Sequence, residues 1–181
     1  MINRNKIETI YSLHIQKLYN YAIYLGADKE LAMDMIHDIF CRLCIDEKKL
    51  QHIQNIELYL FRSVKNRMLN TYKSKAISPV NIDEVPVLID HSADVEDLFI
   101  SEEEEQEIRT KINEMLGLLT KRQNEIIYLR YVLEYDYAQI AEIMQITPGA
   151  CRKLVYKAIT ELRKKYPYHL ILIFFLSKLF N

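Results

Sequence analysis

The stretch from Asp136 to Lys165, DYAQIAEIMQITPGACRKLVYKAITELRKK, leaves few folds open. Asp136 is suited to cap a helix, and Ile140, Ala141, Ile143 and Met144 then recur on one helical face. Ile146 follows as an apolar plug, Thr147 can cap a second helix, and Pro148 falls at its first position, where a missing N–H costs nothing. Cys151, Leu154, Val155, Ala158, Ile159 and Leu162 give this second helix an inner face, leaving Arg152, Lys153, Tyr156 and Lys157 outside. Two capped helices, a short turn and a basic outer face describe a helix-turn-helix, whose second helix enters a DNA major groove. A plain hairpin with a solvated lysine face is the commoner outcome for a basic amphipathic helix. The small Ala141, the plug and the paired caps tip the balance toward DNA.

The rest of the chain points to the same fold class. Only three glycines and four prolines, few β-branched runs and a repeated three-to-four spacing of Leu, Ile and Tyr predict an all-α protein. Half the residues are apolar, enough for one or two small cores. The formal charge of −1 hides a sharp division. Residues 1–75 carry 12 Lys and Arg against 8 Asp and Glu, residues 76–108 carry none against 11, and residues 109–181 carry 12 against 6. Two basic blocks therefore flank an acidic bridge.

Helices are expected over about Lys6 to Leu25, Asp28 to Ile45 and Ile56 to Ser74, with Gly26 stopping the first and Asp28 starting the second. Residues 1–75 form a first domain on this reading. Residues 76–100 hold two prolines, no basic residue and no sustained period, the mark of an acidic flexible linker. Helix resumes at Ser101, which forms an S-x-x-E box with Glu104, and again after Thr120, paired with Gln123, over Lys121 to Tyr131. The second domain, 101–166, ends before Pro167. Residues 167–181 form a hydrophobic tail whose apolar run, Leu170 to Leu176, falls far short of the roughly 20 residues of a membrane span. Three cysteines without a signal-like N-terminus fit a reducing cytoplasm.

A second basic element lies in YLFRSVKNRMLNTYKSK, Tyr59 to Lys75. Arg62, Lys65, Asn66, Asn70 and Lys73 fall on one helical stripe, interleaved with Tyr59, Phe61 and Tyr72. Cations that hold phosphates, aromatics that stack on exposed bases and amides that read base edges suit single-stranded nucleic acid. Equally, Tyr59, Phe61 and Tyr72 can be core residues on a helix that the lysines merely solubilise.

Taken as an ordered set, these blocks resemble the sigma factors of bacterial RNA polymerase, in the two-domain extracytoplasmic-function (ECF) type. Ala32-x-Asp34-x-x-His37-Asp38-x-Phe40 is similar to that family's A-x-D-x-x-Q-[DE]-x-F, and Tyr59-Leu60-Phe61-Arg62 with Lys65-Asn66 to its W-L-[FY]-R-x-x-[RK]-N. Leu119 to Gln123, Leu129-Arg130-Tyr131 and Tyr137 to Glu142 resemble its L-P-x-R-Q, L-R-Y and Y-A-E-I-A-E blocks. The resemblance implies core polymerase and promoter DNA as partners and leaves room for an anti-sigma factor. It implies polymerase docking at Asp34, His37, Asp38 and Phe40, and contact with the melted minus-ten strand at Tyr59, Arg62, Lys65, Asn66, Asn70 and Lys73. Thr147, Ala150, Arg152, Lys153, Tyr156 and Lys157 would face duplex DNA at the minus-thirty-five element. Four residues depart from the pattern: His37 for Gln, Ala150 for Thr, Leu154 for Arg and Gln145 for the turn's Gly.

His37, Cys41 and Cys44 form H-x3-C-x2-C, a spacing that zinc can use. Only His14 and His52 offer themselves as a fourth ligand, and free cysteine is commonly a small hydrophobe, so no metal or other cofactor is expected. No nucleophile with its base, Gly-rich phosphate loop or pocket-like carboxylate pair supports an enzyme. A dimeric stand-alone regulator and a polymerase-binding decoy without DNA recognition are the rival readings.

Overall fold

The computed structural model of the protein describes residues 4–75 and 102–166. All its regular elements among these residues are helical, and the chain divides into two compact units, residues 4–75 in the first and most of 102–166 in the second. The expected linker over 76–100, Ser101 of the S-x-x-E box and the hydrophobic tail lie outside the described residues.

The first unit comprises α1 (Arg4–Tyr24), α2 (Lys29–Ile45), the short α3 (Glu47–His52) and α4 (Ile56–Lys75). Gly26 ends α1 as expected. With φ at 92° it lets its own N–H donate to the Ile23 carbonyl (2.8 Å), while Ala27 N–H reaches the Ala22 carbonyl (3.0 Å). This pair of bonds is the glycine-dependent Schellman stop. Two residues on, the Asp28 carboxylate accepts the Leu31 N–H at 2.8 Å and starts α2. Helix α2 buries Ala32, Met35, Ile36, Ile39, Phe40 and Leu43, a three-to-four spacing that lays one stripe on the core. Helices α1, α2 and α4 pack mutually, with Tyr21 and Phe61 at the centre and their rings 5.0 Å apart.

The second unit comprises α5 (Glu102–Gly117), α6 (Lys121–Ile127), α7 (Tyr137–Met144) and α8 (Pro148–Lys165). Thr120 and Gln123 make both bonds of the expected capping box at the start of α6. Asn124 is buried there, and its amide donates to the Leu116 carbonyl at the end of α5 (3.0 Å). Instead of running to Tyr131 as a single α-helix, α6 passes into a π-helical turn, Tyr128–Val132. Leu133 N–H reaches back to the Tyr128 carbonyl and Tyr135 N–H to Leu129, which leaves Glu134 at φ 57°. Helix α6 packs on α8, whose buried face is Cys151, Val155, Ala158 and Leu162. Among the described residues, no helix is long and apolar enough to cross a membrane.

Candidate nucleic-acid interface

On α2 the residues aligned with the docking motif separate into two groups. Asp34, His37 and Asp38 are exposed, whereas Phe40 turns inward, with its ring edge-on to Tyr11 at 5.0 Å between centroids. Phe40 therefore supports the helix from within, and only the other three present themselves to a partner. Tyr11 also stacks on His37 and shares a 3.2 Å hydrogen bond with its Nε2. Cys41 and Cys44 are exposed, so the packing role expected of a small hydrophobe does not apply to them. Among the described residues, no three His, Cys, Asp or Glu side chains are arranged to hold a metal ion.

An open cleft between α2 and α4 is lined by Asp34, His37 and Asp38 on one side and by Arg67, Asn70 and Ser74 on the other. The structure thus brings Asn70, a candidate for the melted strand, beside the candidate docking residues. Arg67, which sits off the predicted stripe, donates a charged hydrogen bond across the cleft to Asp38. Both side chains are substantially exposed, so the pair contributes at most about 1 kcal/mol to folding.

Along α4 the three interleaved aromatics part company. Phe61 is fully buried. Tyr72 is half-buried, donates its hydroxyl proton to the Leu25 carbonyl (2.9 Å), and has its pKa raised by desolvation. Both are structural. Tyr59 is partly exposed, with the Arg62 guanidinium 6.0 Å from its ring centre. Lys65 and Asn66 are also partly exposed, and Asn70 and Lys73 are exposed. Of the candidate residues, one aromatic, three cations and two amides remain on the outer side.

Helix α8 starts as the sequence predicts. Thr147 Oγ1 accepts the Ala150 N–H (3.2 Å), and Pro148 occupies the first turn. Arg152, Lys153, Tyr156 and Lys157 are all exposed, Tyr156 to 72%. Before it, α7 opens on a capping box between Asp136 and Gln139 and closes on Gln145 in the left-handed conformation (φ 55°, ψ 47°). A side chain there costs roughly 1 kcal/mol relative to glycine. Gln145→Gly is accordingly expected to stabilise the second unit by up to about 1 kcal/mol, less the extra entropy of the unfolded chain, raising its melting temperature by a few degrees in calorimetry.

Two residues that the site prediction omitted also sit here. The Tyr137 ring, partly exposed at the start of α7, lies 5.0 Å from the Arg130 guanidinium carbon and 5.8 Å from that of Arg152. Arg130 Nη1 also donates to the Tyr135 carbonyl at 2.9 Å. No sequence period links positions 130, 137 and 152; only the folded turn unites them.

Comparison with known proteins supplies the frame for both faces. Residues 10–77 match the family model "Sigma-70 region 2", and residues 109–162 match "Sigma-70, region 4". The chain is 22% identical over 161 residues to the ECF RNA polymerase sigma factor SigM of Bacillus subtilis (strain 168), covering 88% of this chain and 94% of that protein. Its fold is similar to that of the sigma factor RpoE of Bartonella quintana, solved with the anti-sigma factor NepR (TM-score 0.62, 19% identity, 88% of this chain and 95% of that one). It is also similar to CnrH, solved with the cytosolic domain of CnrY (TM-score 0.61, 15% identity, 90% and 88%).

Proposed function

Because the chain belongs to the sigma-70 family, as an ECF sigma factor that directs RNA polymerase to promoters, we propose how its exposed residues divide that work. The chain is not an enzyme, since polymerase carries out the nucleotidyl chemistry. Asp34, His37 and Asp38 form the polymerase-docking face, with Phe40 holding its helix in place. Tyr59, Arg62, Lys65, Asn66, Asn70 and Lys73 take the melted minus-ten strand, cations on phosphates and Tyr59 and the amides on bases. Thr147, Ala150, Arg152, Lys153, Tyr156 and Lys157 face the upstream duplex. Working on polymerase and chromosomal promoters places the protein in the cytoplasm.

The observation that carries this reading is the pairing of two different exposed surfaces in one chain. One is a mixed cation, amide and tyrosine stripe suited to unpaired bases, and the other a capped helix whose first turns expose Arg152, Lys153, Tyr156 and Lys157. Each Lys or Arg that neutralises a duplex phosphate adds about 0.9 to the slope of log affinity against log salt. The partners found with RpoE and CnrH further support extending an anti-sigma partner to this chain.

Run-off transcription with purified core polymerase on a genomic promoter library tests the assignment. Specific starts that depend on this chain are expected. Duplex binding without polymerase would favour a stand-alone regulator, and inhibition without initiation would favour a decoy, a role to which Leu154 and Ala150 lend themselves. Within the holoenzyme, Arg62→Ala should lower the yield of open complex about tenfold, equivalent to about 1.4 kcal/mol, with little change in core affinity. Asp38→Ala should weaken core binding by a similar factor while sparing strand opening once the complex has formed. An inverted pattern in permanganate footprinting and core-binding assays would refute the division.

A further inference from the structure

We propose that Tyr137 is a positioning residue for duplex recognition, holding the Arg152 guanidinium in a set pose at the first turns of α8. The inference rests on the reading of α8 as the duplex-facing helix. A guanidinium within about 6 Å of a tyrosine ring centre is drawn to the ring's negative face, and Arg130 and Arg152 both meet that distance on the same ring.

The ring springs from a backbone that is itself held in place. Tyr137 follows the helix cap Asp136, whose carboxylate accepts the Ala138 and Gln139 N–H groups at 2.7 and 2.8 Å. The Gln139 side chain returns the bond to the Asp136 N–H at 2.9 Å. Arg130 is tied to the Tyr135 carbonyl at 2.9 Å, and the Tyr135 N–H is held by Leu129 at 3.0 Å. Arg152 is the exposed end of this series. An exposed arginine samples many rotamers and loses that freedom on binding, so a side chain already held against a ring binds with less entropy lost.

The arrangement also has an electrostatic consequence. Two cations drawn to one ring repel each other, and an anion beside the exposed one relieves the repulsion. A duplex phosphate beside the start of α8 has that chemistry. Leu154, on the same stretch of helix, adds no cation of its own, so Arg152, Lys153 and Lys157 carry the positive charge there.

The test is a double-mutant cycle in the holoenzyme, measuring affinity for the upstream duplex of a promoter found by the run-off experiment. Arg152→Ala is expected to weaken binding about tenfold and lower the salt slope by about 1. Tyr137→Leu should weaken binding three- to fivefold with the salt slope retained, and should add little in the Arg152→Ala background. Tyr137→Phe, which keeps the ring face, should recover most of what Tyr137→Leu loses. Losses that multiply in the double variant, or a Tyr137→Leu protein that binds normally, would overturn the positioning role while leaving the duplex reading intact. An Arg152→Ala protein with unchanged affinity would instead sink the duplex reading of this residue. If Tyr137→Leu and Tyr137→Met both fail to fold by circular dichroism, the ring is structural and the proposal fails.

Discussion

Phe61→Ala should cost the first unit about 3–5 kcal/mol, enough to remove most of the stability of a domain this small. The side chain is fully buried, 5.0 Å ring to ring from the equally buried Tyr21, at the meeting of α1 and α4. Deleting it removes its transfer free energy and leaves a cavity lined by a helix trio that cannot close over it without shifting Tyr21. Tyr59→Ala, two residues away on the partly exposed side, should change stability by less than about 1 kcal/mol and appear instead as poorer strand opening. Urea denaturation of both variants, alongside open-complex yield, distinguishes a core ring from a base-contacting one. Equal destabilisation by the two would mean that α4 is rotated from the orientation described.

Gly26→Ala carries the second large effect, about 2–4 kcal/mol, assembled from two sources. The left-handed backbone (φ 92°) penalises any Cβ by about 1–2 kcal/mol. The Cβ would also lie 2.7 Å from the Tyr72 hydroxyl oxygen, which must then leave the Leu25 carbonyl. Losing that half-buried bond adds about 1–2 kcal/mol. Tyr72→Phe alone should cost about 1 kcal/mol, and in its presence the Gly26→Ala penalty should fall to the backbone part, because the clashing atom is gone. A penalty of the same size in both backgrounds, measured by denaturant titration, would show that the hydroxyl contact contributes nothing.

How much of this was readable beforehand depended on the reach of each interaction. Asp28, Thr120, Asp136 and Thr147 act on N–H groups two or three residues away, so their roles could be read from neighbouring letters, and each caps as expected. Gln145 in the left-handed turn was legible only through the family resemblance, whose pattern has glycine at that place. The aromatics of α4 were not, because Leu58, Leu60, Phe61, Val64 and Met68 share a helix with Tyr59 and Tyr72, and only packing on α1 and α2 decides which rings turn in. Contacts that bridge distant positions, Asp38 with Arg67 and Tyr137 with Arg152, leave no local pattern at all. Neither does the π-helical turn, whose extra residue is accommodated by the ladder after Tyr128. The outer residues of α8 were the easiest part of the site, since a capped helix with one apolar stripe has only one other side to show.

The bond from Tyr72 to the Leu25 carbonyl joins the last turns of α4 to the C-terminal end of α1, 47 positions earlier in the chain. It works as a strut. A nucleic-acid strand pulling on Asn70 or Lys73 would load this brace, passing the force into the three-helix body, rather than unwinding the end of the helix that grips it.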